Sequence, residues 1–411
     1  MRHISAYAEE KTLSIFSREE MDRRVRAARA AMERLDLEAV IATSYPASYY
    51  LSGAPIHCFG RPMATLIPRQ GEAAMVTSII EQGHVAAQSW ITDVRHYWDY
   101  NVTPDYDDPR PPLQSMAALL AEAMAERGLS RGRIGFEDAK LPLAHLGAFR
   151  AALPQAEFVA ASAMLDRLRL VLSDEELALT RAADAIADIG QERLIELIAP
   201  GVSARELVDQ VRATMLDAIL ERHPEMPFHF HIGTGLGAMA KGSGHSEWAT
   251  WNGDDRVEPG QLLETVISVW LWGYWGNVER AVYVGEPSQA VREAFQVMVD
   301  ANEAAIAATR PGIPLADVDR AAKAALAQHG YQTRTGSGCG RGITSYEADA
   351  RELKMDLRLY SDVILEPGMA FSLEPDLEVR GIGTFRHCNT IIVTEAGCEV
   401  DSRLPRGIVW V

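Results

Sequence analysis

Apolar residues recur at helical spacing over residues 19 to 35, where Val25, Ala28, Met32 and Leu35 share one side of an otherwise charged segment. The run Ala39-Val40-Ile41-Ala42 that follows is uninterrupted and reads as a buried strand. Further strands are predicted at 64 to 67 and, past the turn at Gly71, at 74 to 76. Ser44-Tyr45-Pro46 also carries strand signals. A helix over 113 to 127, a strand over 133 to 137 and a helix over 141 to 152 continue the alternation, which predicts an α/β amino-terminal domain.

At Ser173-Asp174-Glu175-Glu176 a hydroxyl followed by acids predicts an N-cap and the start of a long helix over 175 to 197. The boundary is placed there, giving domains of 1–170 and 171–411. Ala199-Pro200-Gly201 ends that helix, and Ser203-Ala204-Arg205-Glu206 repeats the capping pattern for a second. Strands are predicted over 262–271 and 278–284, helices over 288–308 and 315–329, and strands around 369–374 and 390–394. Two similar halves, each pairing helices with a hairpin, make the overall class α/β (α+β).

Composition narrows the choice of partners. A chain of 411 residues has room for two domains with a large core, and its 47% hydrophobic content is ordinary. A formal charge of -17 without a basic run disfavours nucleic acid and anionic membrane surfaces. The first ten residues lack the apolar stretch of a signal peptide, and no segment is long and uncharged enough to span a bilayer, so a cytoplasmic location is expected. Cysteines at 58, 339, 388 and 398 have neither the density nor the spacing of a disulfide scaffold or zinc ribbon, and reduced thiols are expected.

Several segments together carry a resemblance. They are Ser17-Arg18-Glu19-Glu20, Phe59-Gly60-Arg61-Pro62, Leu172-Ser173-Asp174-Glu175-Glu176, Gly273-Tyr274-Trp275-Gly276-Asn277-Val278-Glu279-Arg280, and the run from Leu365-Glu366-Pro367-Gly368 to Ser372-Leu373-Glu374-Pro375. In order and spacing the chain resembles the creatinase branch of the pita-bread family, which also contains methionine aminopeptidases, prolidases and Xaa-Pro aminopeptidases. The resemblance implies a creatinase-type amino-terminal domain and a pita-bread catalytic domain. In the metal-dependent relatives two aspartates, a histidine and two glutamates hold two divalent ions that activate water. The corresponding residues here are Val266, Asn277, Cys339, Glu374 and Cys388, of which Glu374 alone is a strong ligand. Neither a metal nor another cofactor is therefore expected. The competing reading is a thiolate-rich site built from Cys339, Cys388 and His387.

The resemblance also assigns roles. His245, in Gly242-Ser243-Gly244-His245, stands where the creatinase histidine serves as general acid and base. Glu279 and Glu374 stand where glutamates grip a guanidinium group; the alternative for each is a salt bridge within the protein, to Arg280 or another base. A carboxylate on an apolar strand costs several kcal/mol unpaired, and a cationic substrate can supply the missing charge. Arg61, with Phe59 beside it, corresponds to an arginine that one creatinase subunit projects into its neighbour's site, which implies a homodimer with shared active sites. Arg351 lies near a second carboxylate-binding arginine, and a further substrate-binding histidine is displaced to His387 or replaced by Cys388. Guanidinium forks bind carboxylates bidentately. Trp251, with Trp248, Trp270, Trp272 and Trp275, is a candidate wall for a planar cation, or else simply core; alternation puts Trp270 and Trp272 on one face.

Other features, among them His245-Ser246-Glu247-Trp248, Glu264 and Cys339-Gly340, resemble the ectoine hydrolases, which open a cyclic amidine. The expected activity is metal-independent hydrolysis of a C–N bond in a small zwitterionic guanidino or amidino acid, in the manner of creatinase. The alternatives are ectoine-type ring opening, a metal-dependent Xaa-Pro peptidase, and a catalytically dead binding module.

Overall fold

The computed structural model describes residues 15–56, 61–98, 115–224, 254–333, 336–343 and 355–411. The chain divides into two compact units, Met1–Arg169 and Leu170–Val411.

In the first unit α1 (Arg18–Arg34) starts where the Ser17 hydroxyl accepts the Glu20 N–H, and it buries Met21, Val25, Ala28 and Met32 at three- and four-residue intervals. Leu35 caps the helix and is exposed, so the apolar stripe ends one turn earlier than the periodicity suggests. Six strands follow: β1 (Ala39–Ala42), β2 (Ala64–Pro68), β3 (Ala74–Ser78), β4 (Asp93–Tyr97), β5 (Arg133–Phe136) and β6 (Glu157–Ala160). They form one sheet in the order β4-β3-β2-β1-β5-β6. β2 runs antiparallel to both β1 and β3, while β1–β5, β5–β6 and β3–β4 are parallel. The segment read as strand at Ser44-Tyr45-Pro46 instead opens α2 (Tyr45–Ser52), capped by the Ser44 hydroxyl with a proline in the first turn. That helix is buried from Pro46 to Ser52, so it has no polar face and leaves no helical period in the sequence. Short helices α3 (Gln82–Gln88), α4 (Met116–Glu126), α5 (Leu143–Ala152) and α6 (Ser162–Leu168) complete the unit, with Leu120, Met124 and Phe149 buried against Ile41, Leu66 and Val76.

The second unit opens with α7 (Asp174–Leu197) and α8 (Ala204–Arg222), and both carry the reciprocal capping box that the sequence predicts at Ser173 and Ser203. A ten-residue hairpin, β7 (Leu262–Leu271) and β8 (Tyr274–Tyr283), packs against them through Ile267, Val278, Leu207 and Met215. β8 begins four residues earlier than predicted, because the reversal is a two-residue turn at Trp272 and Gly273 with φ of 51° and 79°. Trp272 therefore lies in the turn and does not share a strand face with Trp270. Helices α9 (Gln289–Ala308) and α10 (Leu315–Gln328) follow, then β9 (Ala370–Leu373), β10 (Asp376–Val379), β11 (Gly383–Arg386), β12 (Asn389–Val393) and β13 (Cys398–Val400). β12 lies between β13 and β9, and β10 pairs with β11. A second core joins Phe295 and Met298 of α9 to Ala281 and Phe385, the two phenylalanine rings meeting edge to face at 5.0 Å. This mixture of helices and antiparallel hairpins is the expected α/β class. Among the described residues no helix is long and apolar enough to cross a membrane.

Candidate active site

Strand β8 is held from both sides. On one side it lies so close to α7 that a Cβ at Gly276 would come within 2.5 Å of the Ala183 and Asp184 backbone, so only glycine fits before Asn277. Asp184 accepts the Asn277 N–H at 3.0 Å and the Thr390 hydroxyl at 3.0 Å, tying α7, β8 and β12 together. Burial pushes the Asp184 carboxyl well above the ordinary aspartate range, as does the neighbouring Asp401. On the other side Glu279 and Cys388 exchange backbone hydrogen bonds of 3.2 and 3.1 Å.

This pairing sets which side chains meet. Asn277 and Glu279 are two apart on β8 and face the same way; their partners across the hairpin are Ser268 and Val266. The Ser268 hydroxyl donates to Asn277 Oδ1 at 3.1 Å, and the Asn277 amide reaches Glu279 Oε1 at 3.4 Å and Cys388 Sγ at 3.5 Å. Glu374, just past β9, is anchored by its amide to the Ser337 carbonyl at 2.8 Å and is half-buried. Ligand atoms of Glu279, Glu374 and Cys388 all lie within 4.8 Å of one another. Two sequence-predicted carboxylates are thus brought together.

The cations beside them come from the protein. Arg386, two residues before Cys388 and on the same face, pairs with Glu279 at 2.5 Å and with Glu264 at 2.7 Å. Burial opposes its charge, yet Glu279 and Glu264, with Glu374 beyond, raise its pKa above the ordinary arginine value. Arg280 is not the partner of the Glu279 carboxylate: its guanidinium binds the carbonyls of Glu279, Cys388, Leu404 and Pro405 and the Asn389 side chain. Burial lowers the Arg280 pKa to about 10.

The second cation, Arg341, arrives on the strap containing Cys339. Gly338, with φ of 139°, runs so close to β9 that a Cβ would sit 1.9 Å from the Ser372 carbonyl oxygen. The strap is pinned by Ser372 N–H to the Cys339 carbonyl at 2.7 Å and Arg341 N–H to the Ala370 carbonyl at 2.8 Å. Cys339 is buried against Trp275, which stacks on Trp270 at 5.9 Å, and the Arg341 guanidinium lies 4.0 Å from the Trp275 ring centroid. The tryptophan pair therefore already carries a cation of the protein. Burial, and then Glu374 and Glu279, push the Cys388 thiol well above the ordinary cysteine range, with Arg341 and Arg386 acting against the shift.

His387 does not join the group. Lying between Arg386 and Cys388, it faces the opposite way and packs its ring on Phe295 of α9 at 5.7 Å. Burial, with the charge of Arg280, lowers its pKa to about 3 and keeps the ring neutral. This is the strand alternation at work: neighbours at 386 and 388 reach the site, so 387 cannot. Arg61 lies just ahead of β2 in the amino-terminal unit. His245, Phe59, Trp251 and Arg351 fall outside the described residues. The sequence reading passed over Arg386 and Arg341 as site residues, although each stands two positions from a cysteine at a vacated ligand place, the spacing that shares a strand face.

A hairpin braced by two capped helices, with carboxylates gathered at its edge, defines a pita-bread hydrolase. Residues 178–395 match metallopeptidase family M24, and residues 24–171 match the creatinase/prolidase amino-terminal domain. The chain belongs to the M24 family. It is 26% identical over 407 residues to a creatinase from Bacillus sp. strain B-0618, covering 97% of this chain and 94% of that protein. It is 25% identical over 408 residues to an ectoine hydrolase from Halomonas elongata, covering 95% and 97%. The solved dipeptidase PepE from Mycobacterium ulcerans superposes with a TM-score of 0.76 at 24% identity, over 96% of this chain and 99% of that one, a likeness of fold.

Proposed function

We propose that the chain is a metal-independent hydrolase that cleaves a C–N bond of a small zwitterionic guanidino or amidino acid. The observation that carries this reading is the source of positive charge at the vacated ligand positions. Arg386 pairs with Glu279, and Arg341 reaches Cys388 Sγ at 3.7 Å and the Asn277 carbonyl at 3.4 Å. A pair of divalent ions suits this donor set poorly. Val266 donates nothing, Asn277 is neutral, burial keeps Cys388 a thiol, and two guanidinium groups would repel the ions.

Among the described residues Glu374 makes no ion pair, and it is the carboxylate left for the cationic head of a substrate. Glu279, held by Arg386, stands beside it to keep the reacting carbon electrophilic. In the role the creatinase likeness gives it, His245 takes a proton from water and returns it to the leaving nitrogen, while Arg61 and Arg351 fix the carboxylate so that remote binding energy orients the carbon. Opening of a cyclic amidine is the second reading. It is favoured by Glu264, part of the ectoine hydrolase likeness, which shares Arg386 with Glu279.

Urea and ammonia release from a panel of guanidino and cyclic amidino acids, with and without chelator, tests the proposal. Turnover is expected to persist in chelator, with less than one equivalent of metal by elemental analysis. Loss of activity on chelation, restored by manganese with Xaa-Pro dipeptides as substrates, would instead make the chain a metallopeptidase. Binding with no turnover of any panel member would leave a binding module.

The same reading makes the protein a homodimer in which Phe59 and Arg61 complete the neighbouring protomer's site. Arg61→Ala is expected to raise KM roughly tenfold or more, the worth of a charged hydrogen bond. Light scattering should still report a dimer. A monomeric wild-type protein at assay concentration would end this part of the proposal.

A further inference from the structure

Five arginines are almost wholly buried among the described residues: Arg24, Arg169, Arg280, Arg341 and Arg386. Three are neutralised by carboxylates, Arg24 by Glu20, Arg169 by Asp166, and Arg386 by Glu264 and Glu279. Arg280 is surrounded by carbonyl and amide oxygens. Arg341 is different. No described carboxylate lies within 4.0 Å of it, its Nε donates to the Thr390 hydroxyl at 3.3 Å, and its Nη2 reaches only the Asn277 carbonyl at 3.4 Å and Cys388 Sγ at 3.7 Å. Among the described residues its Nη1 is buried with no hydrogen-bond partner.

A fully buried cation with no contact ion pair and an unfilled donor is costly for the fold and calls for a partner. Its setting is that of a prepared site. The guanidinium plane is held at 4.0 Å over Trp275, so little freedom remains to be lost on binding. Asn277 and Cys388, which it touches, are also the side chains that contact or adjoin Glu279 and Glu374. Among the described residues the cluster thus has a carboxylate, Glu374, and a guanidinium, Arg341, neither in a contact ion pair, although Asp184 and Glu374 act on Arg341 from farther off.

We propose that Arg341, through Nη1, binds the carboxylate of the substrate and sets the distance between the anionic and cationic ends that the site accepts. The assignment rests on the zwitterion reading above for the class of ligand. It adds to Arg61 and Arg351 an anchor backed by the Trp275 ring.

Isothermal titration with acetate, and with acetamide as its neutral isostere, tests this without turnover. The wild-type protein is expected to bind acetate and not acetamide. Arg341→Met should weaken acetate about ten- to hundredfold, the range of a charged hydrogen bond, and Arg341→Lys should fall between. A purely structural arginine would give a lower Tm with acetate affinity unchanged, whereas loss of acetate affinity in a folded Arg341→Met reports the anion site. No acetate binding to wild type, or equal binding by Arg341→Met, overturns the proposal. If the methionine variant does not fold, wild-type crystals grown in acetate decide: acetate on Nη1 supports the assignment, and its absence there overturns it. An enzyme that binds acetate through Arg341 yet releases no product from the panel would refute the hydrolase reading alone. Turnover without acetate binding would refute the Arg341 assignment alone.

Discussion

Replacing Arg386 with methionine is expected to destabilise the catalytic unit by about 3–5 kcal/mol, the cost of stripping one partner from a buried ion pair. Arg386 holds two nearly buried carboxylates at once, Glu264 at 2.7 Å and Glu279 at 2.5 Å. Removing the guanidinium leaves both negative charges in one apolar hairpin, beside Glu374. A fall in Tm on the order of 10 °C should follow. Since the charge left behind is the cause, adding Glu264→Gln or Glu279→Gln to Arg386→Met should recover part of the loss, as a double-mutant cycle on chemical denaturation would show. Additive losses in that cycle would mean that the arginine acts by packing rather than by charge.

Loss of His245 should cost turnover and spare binding. A histidine that only moves protons contributes in the transition state, typically by about 10² to 10⁴, so His245→Ala should lower kcat by that range while substrate affinity stays within a few-fold. Glu374→Gln should behave differently, because its carboxylate meets a charge already present in the bound ground state; it should weaken binding as well as turnover. The comparison is between kcat and the dissociation constant of a non-turnover pair, measured on the inactive histidine variant. Near-normal kcat in His245→Ala would remove the acid/base assignment and turn attention to the cysteines at the cluster.

Amphipathic helices and their caps were readable directly. α1, α7, α8, α9 and α10 each have a stripe or a capping residue that local chemistry dictates, and Ser173 and Ser203 close both halves of their capping boxes. Elements buried on every side were not. α2 lost its period because Pro46 to Ser52 all face the core, and β8 was shortened because Trp272, rather than glycine or asparagine, takes the first positive φ of its turn.

Within the site, the sequence by itself determined the inventory: the emptied ligand positions at Val266, Asn277, Cys339 and Cys388, and the surviving pair Glu279 and Glu374. What each carboxylate is paired with was decided by the tertiary structure. Arg386 and Glu279 are 107 positions apart, and their ion pair exists because the Glu279–Cys388 bridge fixes the register of two distant strands. The same register turns His387 onto Phe295 and out of the site. Likewise Arg341 reaches Trp275 and Cys388 because Gly338 lets its strap close onto β9. Charge type is written residue by residue, whereas charge pairing depends on which strands meet and on which of two faces each side chain emerges, a one-residue distinction that only the packed sheet resolves.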